Sequence, residues 1–157
     1  MKPAAVCLLG LALAGCQTEP TTATVAERAR FLLESGDSQG EVVTLPQSGS
    51  RITVNSKAVF TEFDVVDVKI VQVELGQSLV FHFTPAAARD LSRLTSANIG
   101  QRLVLVLGGV PFGARLINHP MDQGTLLIFV EVPDAALPAL VASLNETAAA
   151  LHPPVKR

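Results

Sequence analysis

Few residues of this chain have the types and spacing that catalysis requires. Gly36-Asp-Ser38-Gln-Gly40 matches the G-x-S-x-G pattern of a serine nucleophile, but that pattern needs a strand before the serine and a helix after it. A predicted helix before Ser38 and a predicted strand after it reverse this order, so a polar loop is expected. Asp64 and Asp67 are close in sequence, yet nothing indicates a cleft that would give them separate acid and base roles. We expect solvated charges at a strand edge.

The histidines and glycines also lack the patterns of metal or nucleotide sites. His82, His119 and His152 are the only histidines, and no two have a metal-ligand spacing such as H-x-x-x-H. Gly108-Gly109 is followed by Val-Pro rather than by a helix start, so no phosphate-binding loop is indicated. Asn145-Glu-Thr147 is formally a glycosylation sequon, but it lies in a predicted helix and we discount it. The sequence therefore predicts no catalytic residue, no metal and no cofactor.

Composition favours one globular domain and argues against nucleic acid as a partner. The chain has 157 residues, of which 48% are hydrophobic and 17% are charged, which suffices for a single core. Twelve Lys and Arg stand against 14 Asp and Glu, so the formal net charge is −2, and the aromatic residues, 4% of the chain, are all Phe. A nucleic-acid binder uses basic attraction and aromatic stacking, and this chain is poor in both.

The first residues have the layout of an export signal. Met1-Lys2-Pro3 makes a short positive start, and residues 4–14 are apolar or small throughout, as in the hydrophobic region of a signal peptide. A transmembrane helix would need about 20 apolar residues, and this run stops at Gly15. We therefore expect the signal to be removed and the mature protein to begin later.

The end of the signal resembles a bacterial lipobox. Leu13-Ala-Gly-Cys16 implies removal of residues 1–15, lipid on Cys16 and a membrane anchor. The alternative is an ordinary signal cleaved after Ala14 or Gly15, which leaves Cys16 as a free or paired thiol. Cys7, the only other cysteine, leaves with the signal, so no intramolecular disulfide is expected. Gln17 resembles an outer-membrane sorting signal. The expected location is thus the outer membrane, facing the periplasm, in species with two membranes, and otherwise the extracytoplasmic face of the cytoplasmic membrane.

Between the cysteine and the main domain, residues 16–40 are predicted to form a lipidated N-terminus, a tether and a short helix. Residues 17–23 are polar and read as a flexible spacer. Thr24-Val-Ala-Glu27 fits a capping box, and the apolar residues among 29–33 share one side of the helix. Three roles are open for this predicted helix: packing on the domain, serving as a stalk, or binding a partner. The main domain is predicted at residues 41–150.

Strands and two helices alternate through the main domain. The predicted class is α+β, with a mixed, largely antiparallel sheet and two helices packed on one face. Because side chains alternate along a strand, one face of the strand at residues 66–73 is expected to carry Val66, Val68 and Ile70. The predicted strands are 41–45, 51–54, 66–73, 78–83, 102–107, 114–117 and 125–131, a turn is predicted at 108–113, and the helices begin at Pro85 and near Asp134.

The middle of the chain resembles a known family. Residues 83–107, FTPAAARDLSRLTSANIGQRLVLVL, are similar to the periplasmic P1 head subdomain of the SecD protein-export subunit, which has a similar helix, Asn-x-Gly stop and apolar strand. Residues 54–64, VNSKAVFTEFD, resemble the segment leading into that subdomain, and residues 126–144 resemble its last strand and helix. The similarity covers roughly residues 52–146. It departs between Gly109 and Gly124, where the family usually has a Ser-Ala-Pro-like step and this chain has Phe112-Gly-Ala-Arg115. The strand before the last helix also lacks the family's usual Gly and has Phe129-Val-Glu131 there.

The resemblance implies a SecDF P1 head-like fold and a binding function. In SecD the subdomain is thought to contact exported chains as they leave the translocon. The transporter helices of SecD are absent from these 157 residues, so the proton-coupled chemistry is not carried over. We expect a non-enzymatic, membrane-anchored envelope domain that contacts exported or unfolded polypeptides or the export machinery. The alternatives are a structural accessory subunit docking to an envelope complex and an enzyme with an unrecognised site.

Three residues are the candidate contact site. Val110 and Phe112 are apolar and lie in a glycine-flanked turn, and Arg115 follows closely. Exposed apolar or aromatic residues beside an arginine are typical of protein contacts. The alternative for Phe112 is that it folds back over the sheet edge as a cap.

Overall fold

The computed structural model describes residues 28–36 and 40–153. The predicted signal, Cys16, the spacer, the capping box and Ser38 lie outside these residues. The described chain contains two α-helices, a large sheet, a separate hairpin, and short 3-10 helices at Glu62–Asp64 and Asp134–Ala136. The main elements are β1 (Ala29–Leu33), β2 (Glu41–Thr44), β3 (Arg51–Val54), β4 (Phe60–Thr61), β5 (Val65–Val73), β6 (Gly76–Phe83), α1 (Pro85–Ala97), β7 (Arg102–Leu107), β8 (Val110–Leu116), β9 (Thr125–Val130) and α2 (Leu137–Leu151).

The seven strands of the large sheet follow the order β4-β1-β7-β8-β9-β6-β5, and β2 and β3 form the separate hairpin. Every pairing between these strands is antiparallel. The predicted α+β class is confirmed. The predicted hairpin at residues 41–54 is also confirmed, by β2 and β3.

The central strand β7 separates two hydrophobic cores. Leu103, Leu105 and Leu107 enter the main core, which also holds buried residues of both helices. Val104 and Val106 enter a second core formed with the hairpin. Side chains alternate between the two faces of a strand, so burial on both faces explains why this run is wholly apolar.

Both helices cover the main-core face. The Thr84 hydroxyl accepts a hydrogen bond from the Ala87 amide at 3.3 Å, and Pro85 takes the first position of α1. Leu91 of α1 and Leu144 of α2 are buried in the same core. Helix α2 begins one turn after Asp134, because a proline at position 138 is tolerated in the first turn of a helix and not in its interior.

The N-terminal helix prediction is wrong where the structure describes it. Residues 29–33 form β1, which pairs with β4 on one side and β7 on the other. Its apolar residues are buried on both faces: Phe31 lies in the main core and Leu32 in the second. The predicted start of the domain at residue 41 therefore falls after one strand of the sheet.

The predicted turn at residues 108–113 is shorter than expected. Only Gly108 and Gly109 form the turn, both with positive φ, and β8 begins at Val110. Gly113 lies within β8, at a position where the Cβ of any other residue would collide with the carbonyl oxygen of Phe129 on β9. This glycine permits close strand approach and does not mark a turn.

The face assignment in β5 is wrong at its first residues. A register shift against β6 lies between Val65 and Asp67, and such a bulge changes which side chains face the core. Val65 and Val68 are buried, whereas Val66 is 40% exposed.

An asparagine of α2 closes part of the β5 edge. The Asn145 side chain accepts from the Val68 amide at 2.8 Å and donates to the Val68 carbonyl at 2.9 Å, replacing the partners that a neighbouring strand would supply. An edge strand with free backbone groups is a site of unwanted pairing. The sequon asparagine is thus engaged in the fold.

We expect Asn145→Ala to destabilise the domain by about 1–3 kcal/mol, because it leaves a partly buried amide and carbonyl without partners. Urea denaturation of both proteins measures the change. Glu146→Ala, at the exposed neighbouring position, is the control and should unfold like wild type. Equal midpoints for all three proteins would contradict this role of Asn145.

Candidate functional site

A groove of about 630 Å³ lies between the hairpin and the large sheet. Leu32 of β1 and Val106 of β7 lie along it, both on the face that carries the second core. Val43 of β2 lines it from the hairpin. The groove therefore combines an apolar floor with one wall made by a strand.

Two arginines line the β1 side of the groove. Arg28 and Arg30 are exposed and, like Leu32, belong to the groove lining. Residues two apart on a strand point to the same side and lie about 6.6 Å apart. Within residues 28–36 and 40–153, neither guanidinium has an ion-pair partner. Glu41, on the β2 side, is the acidic residue of the lining.

One wall of the groove is formed by β2, which in the described chain is paired with β3 alone. Glu41 and Val43 of β2 line the groove, and no residue of β3 does. Within the described residues, the edge of β2 that faces away from β3 has no strand partner.

The hairpin is attached to the sheet at one end through β1. The Ser35 amide donates to the Thr53 carbonyl at 2.8 Å, and the Asn55 amide donates to the Leu33 carbonyl at 2.9 Å. The end of β1 and the residues that follow it pair with β3 and the residue after it, so the position of the hairpin depends on β1.

At the opposite end a carboxylate holds the hairpin turn. Glu131 Oε2 accepts from the backbone amides of Gln47 at 2.8 Å and Ser48 at 2.9 Å. Burial raises the pKa of Glu131, but hydrogen bonds from Ser48 and Gln47 outweigh it and lower the pKa overall. The two attachments together set the width of the groove.

An ion pair joins the end of β1 to the start of β7. Arg102 Nη2 lies 2.6 Å from Glu34 Oε1, and its Nε and backbone amide each donate to Oε2 at 2.9 Å. The side-chain hydrogen bond from Arg102 lowers the pKa of Glu34 against the opposing effect of burial. Sequence analysis missed this pair, because its partners are 68 residues apart.

The structure does not bring the three predicted contact residues together. Val110 is 54% exposed and lies between Gly109 and Pro111, which line the groove. Phe112 is partly buried and packs against the main core. Arg115 lines a separate, open depression with Leu75, Leu127 and Phe129. Their role in contacts stays a prediction. Val110 pairs with Leu107 of the main core, so its side chain lies on the opposite face of the sheet from the groove.

The residues considered for catalysis have structural partners. Asp64 accepts a hydrogen bond from the Thr61 amide at 2.8 Å, and Asp67 forms an ion pair with Lys69 at 3.2 Å. Among the described residues, no group of three or more His, Cys, Asp or Glu side chains could hold a metal ion. The groove itself is lined by apolar side chains, two arginines and one glutamate.

Structural comparison identifies the fold. SecDF in its super-membrane-facing form matches with a TM-score of 0.62 and 19% identity, over 76% of this chain and 19% of that one. The domain has a SecDF P1 head-like fold. A SecDF structure described as a membrane component that enhances protein export matches with a TM-score of 0.60 and 18% identity, over 76% of this chain and 62% of that one. Translocon-associated SecDF from Thermus thermophilus matches with a TM-score of 0.50 and 20% identity, over 76% and 20%.

The chain spans about a fifth of two of these SecDF chains and less than two thirds of the other. Sequence comparison finds no matching family model and no matching curated protein. No helix in the described ranges combines the length and the apolar character that crossing a bilayer requires. The similarity is therefore one of fold, confined to the P1 head-like part.

We expect Glu131→Ala to loosen the hairpin turn, because two amides lose their acceptor. Hydrogen–deuterium exchange at residues 46–50 should rise several-fold at pH 7, while exchange in β7 stays unchanged. The lowered pKa of Glu131 means that its contribution is present above the ordinary carboxyl pKa and is lost as the pH falls through the lowered value. Wild type should therefore approach the variant in acid.

Glu74→Ala is the matched control, since Glu74 is an exposed carboxylate in the turn between β5 and β6. Its exchange pattern should match that of wild type at both pH values. Unchanged exchange at residues 46–50 in Glu131→Ala would show that the carboxylate does not hold the turn.

Proposed function

We propose that this chain is a lipid-anchored, non-enzymatic binding domain of the cell envelope that contacts exported polypeptides or the export machinery. The observation that carries the proposal is the fold shared with SecDF, of which one solved example is described as enhancing protein export. The identity is 19% and 18%, so this observation supports the fold, and the activity of this chain is our inference.

The groove supports binding over catalysis. Its floor is apolar, and its charged residues are Arg28, Arg30 and Glu41. Binding sites of this size combine an apolar surface with a few polar groups that orient the ligand. Asp64 and Asp67, the acids first considered for catalysis, are engaged in the local contacts of the fold.

Site-specific photo-crosslinking in living cells tests the binding function. A photoreactive residue at Ser56, exposed in the lining of the groove, should capture many newly made exported proteins, and a chase should remove the products within minutes. The same residue at Ala150, exposed on α2, is the control and should capture few. Equal capture at both positions would contradict a role for the groove side in contacting exported chains.

A second candidate function is docking as an accessory subunit to one envelope complex. It is favoured by the open depression beside β9, where Leu75 is 85% exposed and lies near Leu127 and Phe129. Apolar surface of this kind is typical of protein interfaces. One stoichiometric crosslinked partner that persists through the chase would favour docking over client binding.

The anchor is proposed from the lipobox-like residues before Cys16. We expect Cys16→Ser to accumulate as a precursor that keeps residues 1–15, because lipid attachment precedes cleavage in this pathway. Intact mass spectrometry of the membrane fraction should show diacylglycerol on wild type and not on Cys16→Ser. Cys7→Ser is the matched control and should mature normally. A Cys16→Ser protein that matures into a soluble form would overturn the anchor.

A further inference from the structure

We propose that the groove seats an extended polypeptide segment, which adds to the free edge of β2 and places an acidic side chain against Arg28 and Arg30. This inference rests on the proposed function and adds to it the kind of segment that is bound and the surface that binds it. It assigns separate tasks to the β2 backbone, the apolar floor and the two arginines.

The strand edge selects a polypeptide. An extended segment can donate and accept main-chain hydrogen bonds along an exposed strand edge, as in other cases of β-strand addition. In the described chain, β2 offers four residues and is paired on one edge only. Four residues of partner strand measure about 13 Å. A lipid chain would leave these backbone groups unused.

The floor accommodates alternate side chains of such a segment. Leu32 and Val106 lie below the groove, and Val43 borders it. In a strand, every second side chain points to the same face, so apolar residues at alternate positions would contact this floor. The other side chains would point to solvent, so the groove would accept segments that differ at those positions.

The two arginines favour an acid at one position. Arg30 lies on β1 and Arg28 directly precedes it, and within the described part of the chain they form no ion pair. Arginine binds carboxylates with paired hydrogen bonds. Glu41, on the opposite wall, would repel an acid placed beside β2. The complementary position for the carboxylate is therefore on the β1 side.

Fluorescence anisotropy with the full chain in detergent micelles tests the inference. The probe is a labelled peptide, Val-Thr-Glu-Thr-Val-Thr, in which Glu shares a face with the two Val residues, and its comparison is the same peptide with Gln in place of Glu. The Glu peptide should bind more tightly, and Arg28→Gln or Arg30→Gln should each weaken it about two- to fivefold, as expected for exposed ion pairs. The Gln peptide should be unaffected by either substitution.

Arg51→Gln, at an exposed position on the hairpin outside the groove lining, is the matched control and should bind like wild type. A Glu peptide with N-methylated backbone at alternate positions should lose binding, because its amides can no longer pair with β2. Equal binding of the methylated and unmethylated peptides would overturn strand addition. Equal binding of the Glu peptide to wild type and both groove variants would overturn the role of the arginines.

The outcomes separate this inference from the proposed function. If the peptides bind and crosslink elsewhere on the domain, the proposed function stands and the groove assignment is wrong. If no peptide binds, and exported chains are not captured in cells, both are wrong. The groove assignment is also overturned if Arg30→Gln leaves peptide binding intact and instead abolishes binding to vesicles containing phosphatidylglycerol, or abolishes self-association in sedimentation.

Discussion

The insertion of β1 between β4 and β7 is the constraint on which the rest of the structure depends. Its two edges are hydrogen-bonded to different strands, and its two faces enter different cores. On one face the Phe31 ring makes edge contacts with Phe81 and Phe83, at centroid distances of 5.1 and 5.5 Å. On the other face Leu32 packs beneath the hairpin. One short strand thus joins the helix-covered core to the hairpin-covered core.

The same strand also builds the groove. Because side chains alternate along β1, burial of Phe31 in the main core places Arg30 and Leu32 on the hairpin side. The Glu34–Arg102 pair then fixes the end of β1 against β7, just before the chain passes into its pairing with β3. Removal of β1 would therefore take away the floor, the arginines and the support of the hairpin together.

The sequence predicts the elements whose signals are local. Helix α1 carries its own cap and proline, and β7 shows burial on both faces as an unbroken apolar run. The pattern of β1 is ambiguous, since a short apolar segment buried on both faces has no alternation and also fits a helix. Its strand pairing comes from residues 60–61 and 103–107. Such distant partners leave no mark in the segment itself.

The candidate site was harder to predict, for a related reason. Arg28 and Arg30 share a side only if their segment is a strand, so predicting a helix there hid them. Val110 was singled out because glycines around an apolar residue are a local signal, but it lies on the opposite face of the sheet from the groove. A groove assembled from separate parts of the chain gives no such signal. Its position also has a consequence for the proposed anchor. Eleven residues lie between Cys16 and Arg28, and the twelve steps of chain that join them reach at most about 43 Å. A lipid on Cys16 would therefore keep Arg28, on one side of the groove, within that distance of the membrane that holds the anchor.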